Sequence, residues 1–415
     1  MSNSKLKIIL KKLIISRNMS LLSAKCKWAI STVLLVLIFT NLMFYKIIFL
    51  EWQGSHKFSI ALWSGGSHYD RRESKDVFQP CEIKDSNNFK VLKRAEFNFS
   101  ESDSRDIFKE MKNIEPSVSN VFFVETTCAA RMVYETYYKK RISFIMGPRQ
   151  WCAVESMALT NPNRRVYILN TCPMDEDVTE KVPDYVRGVY YLPNVRIVRL
   201  NLSEMFHGTP IQRVYESGVI ETSPYFLEHF SDLIRVAALW RFGGTYCDLD
   251  FIIMKCLNDL GTDFAASQDP YIINSAIFNI NPEGFGHKLM YTMMELLKYM
   301  YRPDYWDWNG PSLLTNTILY FCQVEKVEEV IETCEKFKVY KRHIFYPVHY
   351  GFAEELFNHR TGKIIVEFAE NISYGVHMWN KLNKNMKVQV GSTQAYSILA
   401  ERYCPHVYWN SGEVF

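Results

Sequence analysis

The sequence has 415 residues, of which 48% are hydrophobic and 15% aromatic, a composition typical of a large folded protein and not of a disordered chain. The formal net charge at pH 7 is only +3 and no long basic run is interleaved with aromatic residues, so we expect no nucleic-acid partner. One sizeable catalytic or binding domain with appendages is the expected organisation.

The first fifty residues predict a membrane anchor. Only basic charges precede Trp28, and an apolar run follows that continues to Leu50. At about 1.5 Å per residue, this run can cross a hydrocarbon core of roughly 30 Å. A cleaved signal peptide has a similar pattern, but this run is longer than a usual signal core and no small-residue cleavage site closes it. We predict a cytoplasmic tail at 1–27, a transmembrane signal-anchor helix at 28–50 and a type II protein whose remaining residues are luminal.

Two further patterns fit a luminal location. Asn-x-Ser sequences, which accept N-glycans only in the lumen, follow the predicted anchor at Asn98, Asn201 and Asn371. Of the ten cysteines all but Cys26 follow it, without a paired Cys-x-x-Cys zinc pattern, which favours an oxidising compartment with some disulfides. We expect Cys322 and Cys334 to pair within a loop-like region. Because the luminal cysteines are odd in number, at least one thiol should stay free or pair between chains.

The segment after the anchor changes character near Pro116. Residues 51–115 are polar and turn-rich without sustained periodicity, and we predict a luminal stem there. Residues 116–415 contain alternating strand-like and helical runs, and we predict that they form a luminal catalytic domain.

Short apolar runs within this domain predict strands buried on both faces, at 120–126, 164–171 and 194–200. A helical pattern lies between the first two runs and ends before Pro162. Strand, helix and strand in this order predict an α/β fold with a mostly parallel central sheet. Ligands of such folds bind beyond the carboxyl ends of strands, where Glu125 and Thr126 stand; these two residues serve equally well as caps of the next turn.

A helix followed by two glycines comes next. In "YFLEHFSDLIRVAALWRFGG" apolar residues recur at spacings of three and four, which predicts a helix with one buried face. Asp232 and Arg235 lie off that stripe as neighbours on the helix surface. We expect Gly243 or Gly244 to end the helix in a left-handed conformation.

Asp248 and Asp250 follow these glycines and would share one side of a straight strand. Carboxylates this close repel each other, and a divalent cation such as Mn²⁺ or Mg²⁺ with a substrate diphosphate is a common relief. An isolated Asp-x-Asp is more often a solvated strand end. A haloacid-dehalogenase-type phosphatase also uses Asp-x-Asp after a strand, but Phe251 disfavours it. Because a helix, two glycines and a short strand-like run precede the acidic pair here, we predict a metal-diphosphate site.

The segment "SDLIRVAALWRFGGTYCDLDFI" resembles the donor-binding core of the α1,4-glycosyltransferase family. Further motifs match in the same order, namely "FFVET", "CAVESMALTNP", "GPSLLT", "HMWNK" and "RYCP". The resemblance covers about residues 120 to 405. It implies a GT-A type nucleotide-sugar-binding fold, a UDP-sugar donor, a divalent metal and retention of anomeric configuration in a Golgi membrane protein.

The resemblance also implies roles for individual residues. Asp248 and Asp250 bind the metal and the donor diphosphate, and His377 of "HMWNK" reaches the same groups, although a packed core histidine is its alternative. Asp232 and Arg235 hold donor-sugar hydroxyls, with a surface salt bridge as their alternative. Three further residues contact the donor, with Glu125 and Thr126 near the nucleoside and Asn274 near the transferred sugar.

The acceptor side is expected near Trp306, Trp308 and Asn309. Aromatic side chains commonly stack on sugar faces, and Asn309 stands where the family usually has glutamine. This departure concerns the part of the site that selects the acceptor.

We therefore expect a single-pass type II Golgi membrane enzyme that transfers galactose or an N-acetylhexosamine from its UDP donor to the terminal sugar of a glycosphingolipid. Alternatives are an α1,4-N-acetylglucosaminyltransferase acting on glycoprotein glycans and a catalytically lapsed, membrane-anchored sugar-binding protein. A transferase that uses GDP-mannose on an inositol-containing lipid would not be expected to carry "HMWNK" and "RYCP". The sequence leaves homo-oligomerisation open.

Overall fold

The computed structural model describes residues 80–81, 108–129, 146–172, 183–190 and 192–415. The predicted tail at 1–27, the predicted anchor at 28–50 and the sequon at Asn98 lie outside the described residues. Within the described residues, no helix is both long enough and apolar enough to cross a membrane.

The described strands and helices alternate along most of the chain. The strands are β1 Phe108–Glu110, β2 Asn120–Glu125, β3 Arg165–Asn170, β4 Val195–Arg199, β5 Gly244–Cys247, β6 Phe251–Ile253, β7 Phe264–Ser267, β8 Ile273–Ile280, β9 Lys338–Tyr340 and β10 Gly375–His377. The α-helices are α1 Pro148–Thr160, α2 Asp184–Tyr190, α3 Leu202–Phe206, α4 Gln212–Glu216, α5 Phe226–Phe242, α6 Gly284–Met300, α7 Leu313–Cys322, α8 Val327–Thr333, α9 Gly362–Ile372, α10 Ala395–Tyr403 and α11 Pro405–Trp409.

The main sheet has eight strands in the order β1-β4-β3-β2-β5-β8-β7-β9, and β6 pairs with β10 in a separate two-stranded sheet. Strands β1 to β5 pair in parallel. Strand β8 runs antiparallel to both β5 and β7, and β9 is parallel to β7. The predicted α/β fold with a mostly parallel sheet is confirmed.

The central strands form because their residues are apolar on both faces. In β2, Val121 and Phe123 pack into one hydrophobic core, whereas Phe122 and Val124 pack into a second core on the opposite face of the sheet. Every residue of β2 is buried. The three predicted strands are present as β2, β3 and β4, and the predicted helix between the first two is α1, which begins with Pro148.

Two segments of the predicted stem belong to the folded domain. Strand β1 pairs in parallel with β4 at the edge of the main sheet. Cys81 is buried and forms a disulfide with Cys256, which lies just before the turn Leu257–Leu260. The folded part of the chain therefore includes residues before Pro116, because sheet pairing and a disulfide attach them to it.

Four disulfides connect the described residues: Cys81–Cys256, Cys128–Cys172, Cys152–Cys404 and Cys322–Cys334. The predicted pairing of Cys322 with Cys334 is confirmed, but these residues end two helices, α7 and α8, and do not lie in a loop-like region. Among the described cysteines, the buried Cys247 is the one that is free, as the odd count required.

Helix α5 is buried on more than one face, so the expectation of a single buried face is wrong. Asp232 and Arg235 are buried together with the apolar stripe, because the turn before α7 and strand β8 cover this side of the helix. The helix ends at Gly243 with a φ of 61° and a ψ of −168°, which is outside the left-handed helical region. Gly244 has a φ of 95°, and a Cβ atom there would lie 2.3 Å from the carbonyl oxygen of Asn120 in β2. The glycine pair thus turns the chain from α5 directly into β5.

Candidate active site

The acidic pair lies in a turn between the two sheets. Strand β5 ends at Cys247, and β6 begins at Phe251 in the other sheet. The backbone N–H of Asp248 donates to Ala276 O of β8 at 2.7 Å, and Asp250 O accepts the N–H of Met378, just after β10, at 2.8 Å. The strand therefore does not run straight through both aspartates, because the backbone of each is held by a different sheet.

Three potential metal ligands meet at this turn. Asp248, Asp250 and His377 each offer a ligand atom within 4.8 Å of the others. His377 Nε2 lies 3.0 Å from Asp250 Oδ1 and 3.9 Å from Asp248 Oδ2. The imidazole is buried, yet neither ring nitrogen has a hydrogen bond of acceptable geometry to any described residue. A buried imidazole nitrogen that faces two carboxylates fits a divalent cation, so the predicted ligand set is compatible with this geometry.

Neighbouring charges shift the pKa values of His377 and Asp248 in opposite directions. Burial lowers the pKa of His377, but the carboxylates of Asp250 and Asp248 outweigh it and raise the pKa to about 9. Burial raises the pKa of Asp248, but the Arg235 guanidinium and His377 outweigh it, and the pKa falls below its usual value. The site therefore favours an ionised Asp248 beside positive charge.

Arg235 connects Asp248 with Asp232 on helix α5. Its Nη2 lies 3.3 Å from Asp232 Oδ1 and 3.5 Å from Asp248 Oδ1, and its Nη1 donates to Ser275 O at 2.7 Å. The side chains of Asp232 and Arg235 are only 6% and 8% exposed, which excludes the alternative of a surface salt bridge. The guanidinium thus fixes both carboxylates relative to each other.

Asp232 lies in a narrow space. A Cβ atom on Gly310, in the helical turn Trp308–Ser312, would come within 2.3 Å of Asp232 Oδ1. The pKa of Asp232 is raised to about 7, because burial and the nearby Asp248 carboxylate together outweigh the opposing effect of Arg235. Only glycine at position 310 lets the backbone approach this carboxylate so closely.

The residues predicted near the nucleoside lie where β2 ends. Strand β2 pairs with β5 with Phe122 opposite Tyr246, so the carboxyl ends of the two strands adjoin. Glu125 is buried, its Oε1 accepts the N–H of Thr127 at 2.8 Å, and burial raises its pKa. Thr126 Oγ1 donates to Leu227 O at 3.1 Å. Both residues thus stand at the edge of the sheet that carries the acidic pair.

Asn274 lies on β8 next to Ser275, whose carbonyl binds Arg235. Its side-chain nitrogen donates to Gln268 Oε1 at 2.5 Å, and its Oδ1 accepts the N–H of Ala276 at 2.7 Å. These bonds hold the Asn274 amide in place one residue from the Arg235 contact.

The three predicted acceptor residues have different environments. Trp306 is 49% exposed. Trp308 Nε1 donates to Met300 O at 2.9 Å. Asn309 is fully buried, accepts the N–H of Arg302 at 2.9 Å and donates to Arg302 O at 2.8 Å. The amide of Asn309 thus holds its own loop together, and its predicted contact with an acceptor stays a prediction.

Sequence reasoning missed several residues of the site. The Tyr246 hydroxyl donates to Asp248 Oδ1 at 2.6 Å and lies 2.9 Å from Ser231 Oγ. Tyr246 stands two residues before Asp248, so the strand period could have identified it. The backbone N–H of Asn380 donates to Asp250 Oδ2 at 3.0 Å, and no side-chain pattern signals such a contact.

Two of the predicted glycosylation sites are described. Asn201 caps helix α3 by accepting the N–H groups of Ser203 and Glu204, and it is exposed. Asn371 is exposed near the end of α9. Both positions are accessible, and glycosylation there stays a prediction.

Two family models match this chain. The glycosyltransferase sugar-binding region containing the DXD motif matches residues 147–265, which include Asp248 and Asp250. The α1,4-glycosyltransferase conserved region matches residues 282–411, which include His377. Together the two models cover most of the described domain.

Curated relatives are similar over a longer range. Lactosylceramide 4-alpha-galactosyltransferase of Rattus norvegicus is 30% identical over 292 residues, which are 69% of this chain and 74% of the relative. The human protein of the same name is 28% identical over 70% of this chain and 76% of its own length. Human alpha-1,4-N-acetylglucosaminyltransferase is 25% identical over 62% of this chain and 74% of its own length.

Among solved structures, the galactosyltransferase LgtC in complex with donor and acceptor sugar analogues is 14% identical with a TM-score of 0.35, over 69% of this chain and 95% of that one. An overlap of this quality carries no argument about fold or function. The assignment to a family rests on the two family models and on the relative from Rattus norvegicus. The chain therefore belongs to the α1,4-glycosyltransferase family, and it is a glycosyltransferase.

Proposed function

We propose that this protein is a UDP-sugar-dependent, retaining α1,4-glycosyltransferase of the GT-A type. It moves galactose or an N-acetylhexosamine to the 4-hydroxyl of the terminal sugar of a glycosphingolipid. The observation that carries the proposal is the continuous set of contacts from Asp250 and His377 through Asp248 and Arg235 to Asp232.

Asp248, Asp250 and His377 would hold a divalent cation, Mn²⁺ or Mg²⁺. The cation would supply positive charge opposite the donor diphosphate, where negative charge develops as UDP leaves. Arg235 keeps Asp248 ionised and oriented, and the N–H of Asn380 orients Asp250. These contacts preorganise the carboxylates before the donor binds.

Asp232 is assigned to the donor sugar. Its carboxylate accepts hydroxyl hydrogen bonds, while Arg235 holds it in one position. An α-linked product from an α-linked donor can arise by attack on the same face of the sugar. Such attack needs the acceptor hydroxyl to be held close to the departing phosphate oxygen, and positioning alone can supply much of the rate acceleration.

The glycolipid acceptor is proposed because relatives at 28 to 30% identity are named lactosylceramide 4-alpha-galactosyltransferase. The relative named alpha-1,4-N-acetylglucosaminyltransferase supports N-acetylglucosamine as the second candidate donor sugar, with glycoprotein glycans as acceptors. The basic and apolar N-terminus supports a single-pass Golgi membrane protein with a luminal catalytic domain, and the disulfides are compatible with that oxidising compartment.

The test incubates the full-length protein with Mn²⁺ and, in turn, UDP-galactose, UDP-N-acetylgalactosamine and UDP-N-acetylglucosamine, each with lactosylceramide and with a glycoprotein acceptor. We expect one UDP-sugar to be transferred. Asp250→Asn should abolish transfer and weaken Mn²⁺-UDP binding, whereas Asp259→Asn, an exposed aspartate of the turn Leu257–Leu260, should change neither. If no UDP-sugar is consumed and Asp250→Asn leaves Mn²⁺-UDP binding unchanged, the protein is at most a sugar-binding protein.

A further inference from the structure

Four side chains from three separate segments form a cluster beside the candidate active site. The Lys381 ammonium forms an ion pair with Glu228 and lies 5.5 Å from the ring centroid of Tyr225 and 5.4 Å from that of Trp306. The exposed fractions are 50% for the Lys381 side chain, 35% for the Glu228 side chain and 49% for Trp306. We call Tyr225, Glu228, Trp306 and Lys381 the rim cluster; it is ordered by mutual contacts and open to solvent.

Each segment of the rim cluster leads directly to a residue of the donor and metal site. Glu228 stands four residues before Asp232 on α5, so both side chains project from the same face of the helix. Lys381 follows Asn380, whose N–H binds Asp250. Trp306 precedes the turn in which Gly310 packs against Asp232. The rim cluster therefore borders the site through helix α5, the loop after β10 and the loop after α6.

The chemistry of the rim cluster matches an uncharged sugar. An aromatic ring packs against the apolar C–H face of a pyranose, and a carboxylate and an ammonium bind its hydroxyl groups as acceptor and donor. The charges of Glu228 and Lys381 neutralise each other, so the cluster carries no net positive charge that would attract an anionic sugar. None of the four side chains belongs to the Asp248, Asp250 and His377 set that fits the cation.

We propose that the rim cluster binds the neutral terminal sugar of the acceptor. Trp306 provides the stacking surface, Glu228 accepts hydrogen bonds from the sugar hydroxyls, and Lys381 holds Glu228 in position. This inference rests on the proposed function, because it assigns the second substrate of the same site.

The test measures sugar binding and donor chemistry separately. Methyl β-lactoside is titrated into the full-length protein with diamagnetic Mg²⁺ and UDP, and its binding is followed by saturation-transfer difference NMR. Hydrolysis of the UDP-sugar donor is measured without acceptor. We expect Trp306→Leu and Glu228→Gln each to weaken lactoside binding about tenfold, with donor KM and hydrolysis changed by less than about twofold. Trp306→Phe should weaken it less, because a ring remains.

Trp409→Leu is the matched control, because Trp409 is 54% exposed on α11 and is not part of the site. It should leave lactoside binding unchanged, and melting temperatures verify that all variants are folded. The proposal is wrong if the unsubstituted protein binds no lactoside, if Trp306→Leu and Glu228→Gln leave binding unchanged, or if they impair donor hydrolysis as strongly as lactoside binding. Trp306-dependent lactoside binding without consumption of any UDP-sugar would instead contradict the proposed function alone.

Discussion

Replacing Gly310 with alanine should disable the donor site although no residue proposed to bind the cation or the donor is itself replaced. The new Cβ atom would lie 2.3 Å from Asp232 Oδ1 and 2.7 Å from Asp232 Cγ, whereas ordinary contacts begin at 3.4 Å. The overlap is 3.4 − 2.3 = 1.1 Å, so the carboxylate or the turn Trp308–Ser312 has to move by roughly 1 Å. A shift of that size pulls Asp232 out of its 3.3 Å contact with Arg235 or moves both together.

Misplacement by about 1 Å can cost about 10²-fold in rate, which corresponds to about 2.7 kcal/mol of transition-state free energy. We expect kcat/KM for hydrolysis of the UDP-sugar to fall by that factor in Gly310→Ala. The assay follows UDP release at saturating Mn²⁺. Gly351→Ala is the control, because Gly351 is exposed and its new Cβ atom would meet only the His349 side chain, at 3.3 Å.

A double-substitution cycle separates this steric mechanism from general unfolding. In an Asp232→Ala background the carboxylate that clashes is absent, so adding Gly310→Ala should cost much less than it does in the unsubstituted protein. If Gly310→Ala hydrolyses the donor within twofold of the unsubstituted protein, or if the two substitutions are additive, the reasoning about Asp232 is refuted.

The remaining predictions concern stability. Burial raises the pKa of Glu155, which accepts two backbone N–H groups at the start of α11, from 4.5 to about 7. The folded protein therefore holds the proton of the Glu155 carboxyl more tightly than the unfolded chain does, so the resulting stabilisation is present at acidic pH and is lost as the pH rises to about 7. Between pH 5 and pH 8, the free energy of unfolding in urea should fall less for Glu155→Gln than for the unsubstituted protein. An equal fall would contradict the assignment. Removing Cys152–Cys404, whose cysteines are 252 residues apart, should lower the free energy of unfolding by about 5 kcal/mol, against about 3 kcal/mol for Cys322–Cys334, which are 12 apart. Urea unfolding of the two double serine variants checks that order, and the reverse order would show that loop closure does not dominate.

Local patterns were sufficient for several parts of the molecule. The strands β2, β3 and β4 are apolar on both faces, and such segments form central strands wherever the chain is covered on both sides. Helix α1 was recognisable from its length and from the proline that follows its end. The pairing of Cys322 with Cys334 could also be predicted from the sequence, because the chain between them is short.

Contacts between residues that are distant in sequence could not be predicted from local patterns. Glu228 and Lys381 are 153 residues apart and meet because α5 and the loop after β10 flank the same turn. Whether β5 continues through Asp248 and Asp250 depends on β8 and β10, which pair with the chain on either side of that turn. The periodicity of a sequence describes a single segment, whereas the strands with which that segment pairs depend on the arrangement of the whole sheet.

The sequence by itself determined the α/β class, the acidic pair and the kind of chemistry that such a pair serves, because composition, periodicity and short motifs are local properties. Tertiary structure decided that Asp232 and Arg235 are buried and act together with Asp248, that Asn309 supports its own loop, and that Trp306 remains exposed. The physical reason is that burial and partner choice depend on which segments cover a side chain. The segments that cover Asp232 and Arg235 come from the turn that contains Gly310 and from strand β8, both of which follow α5 in the chain.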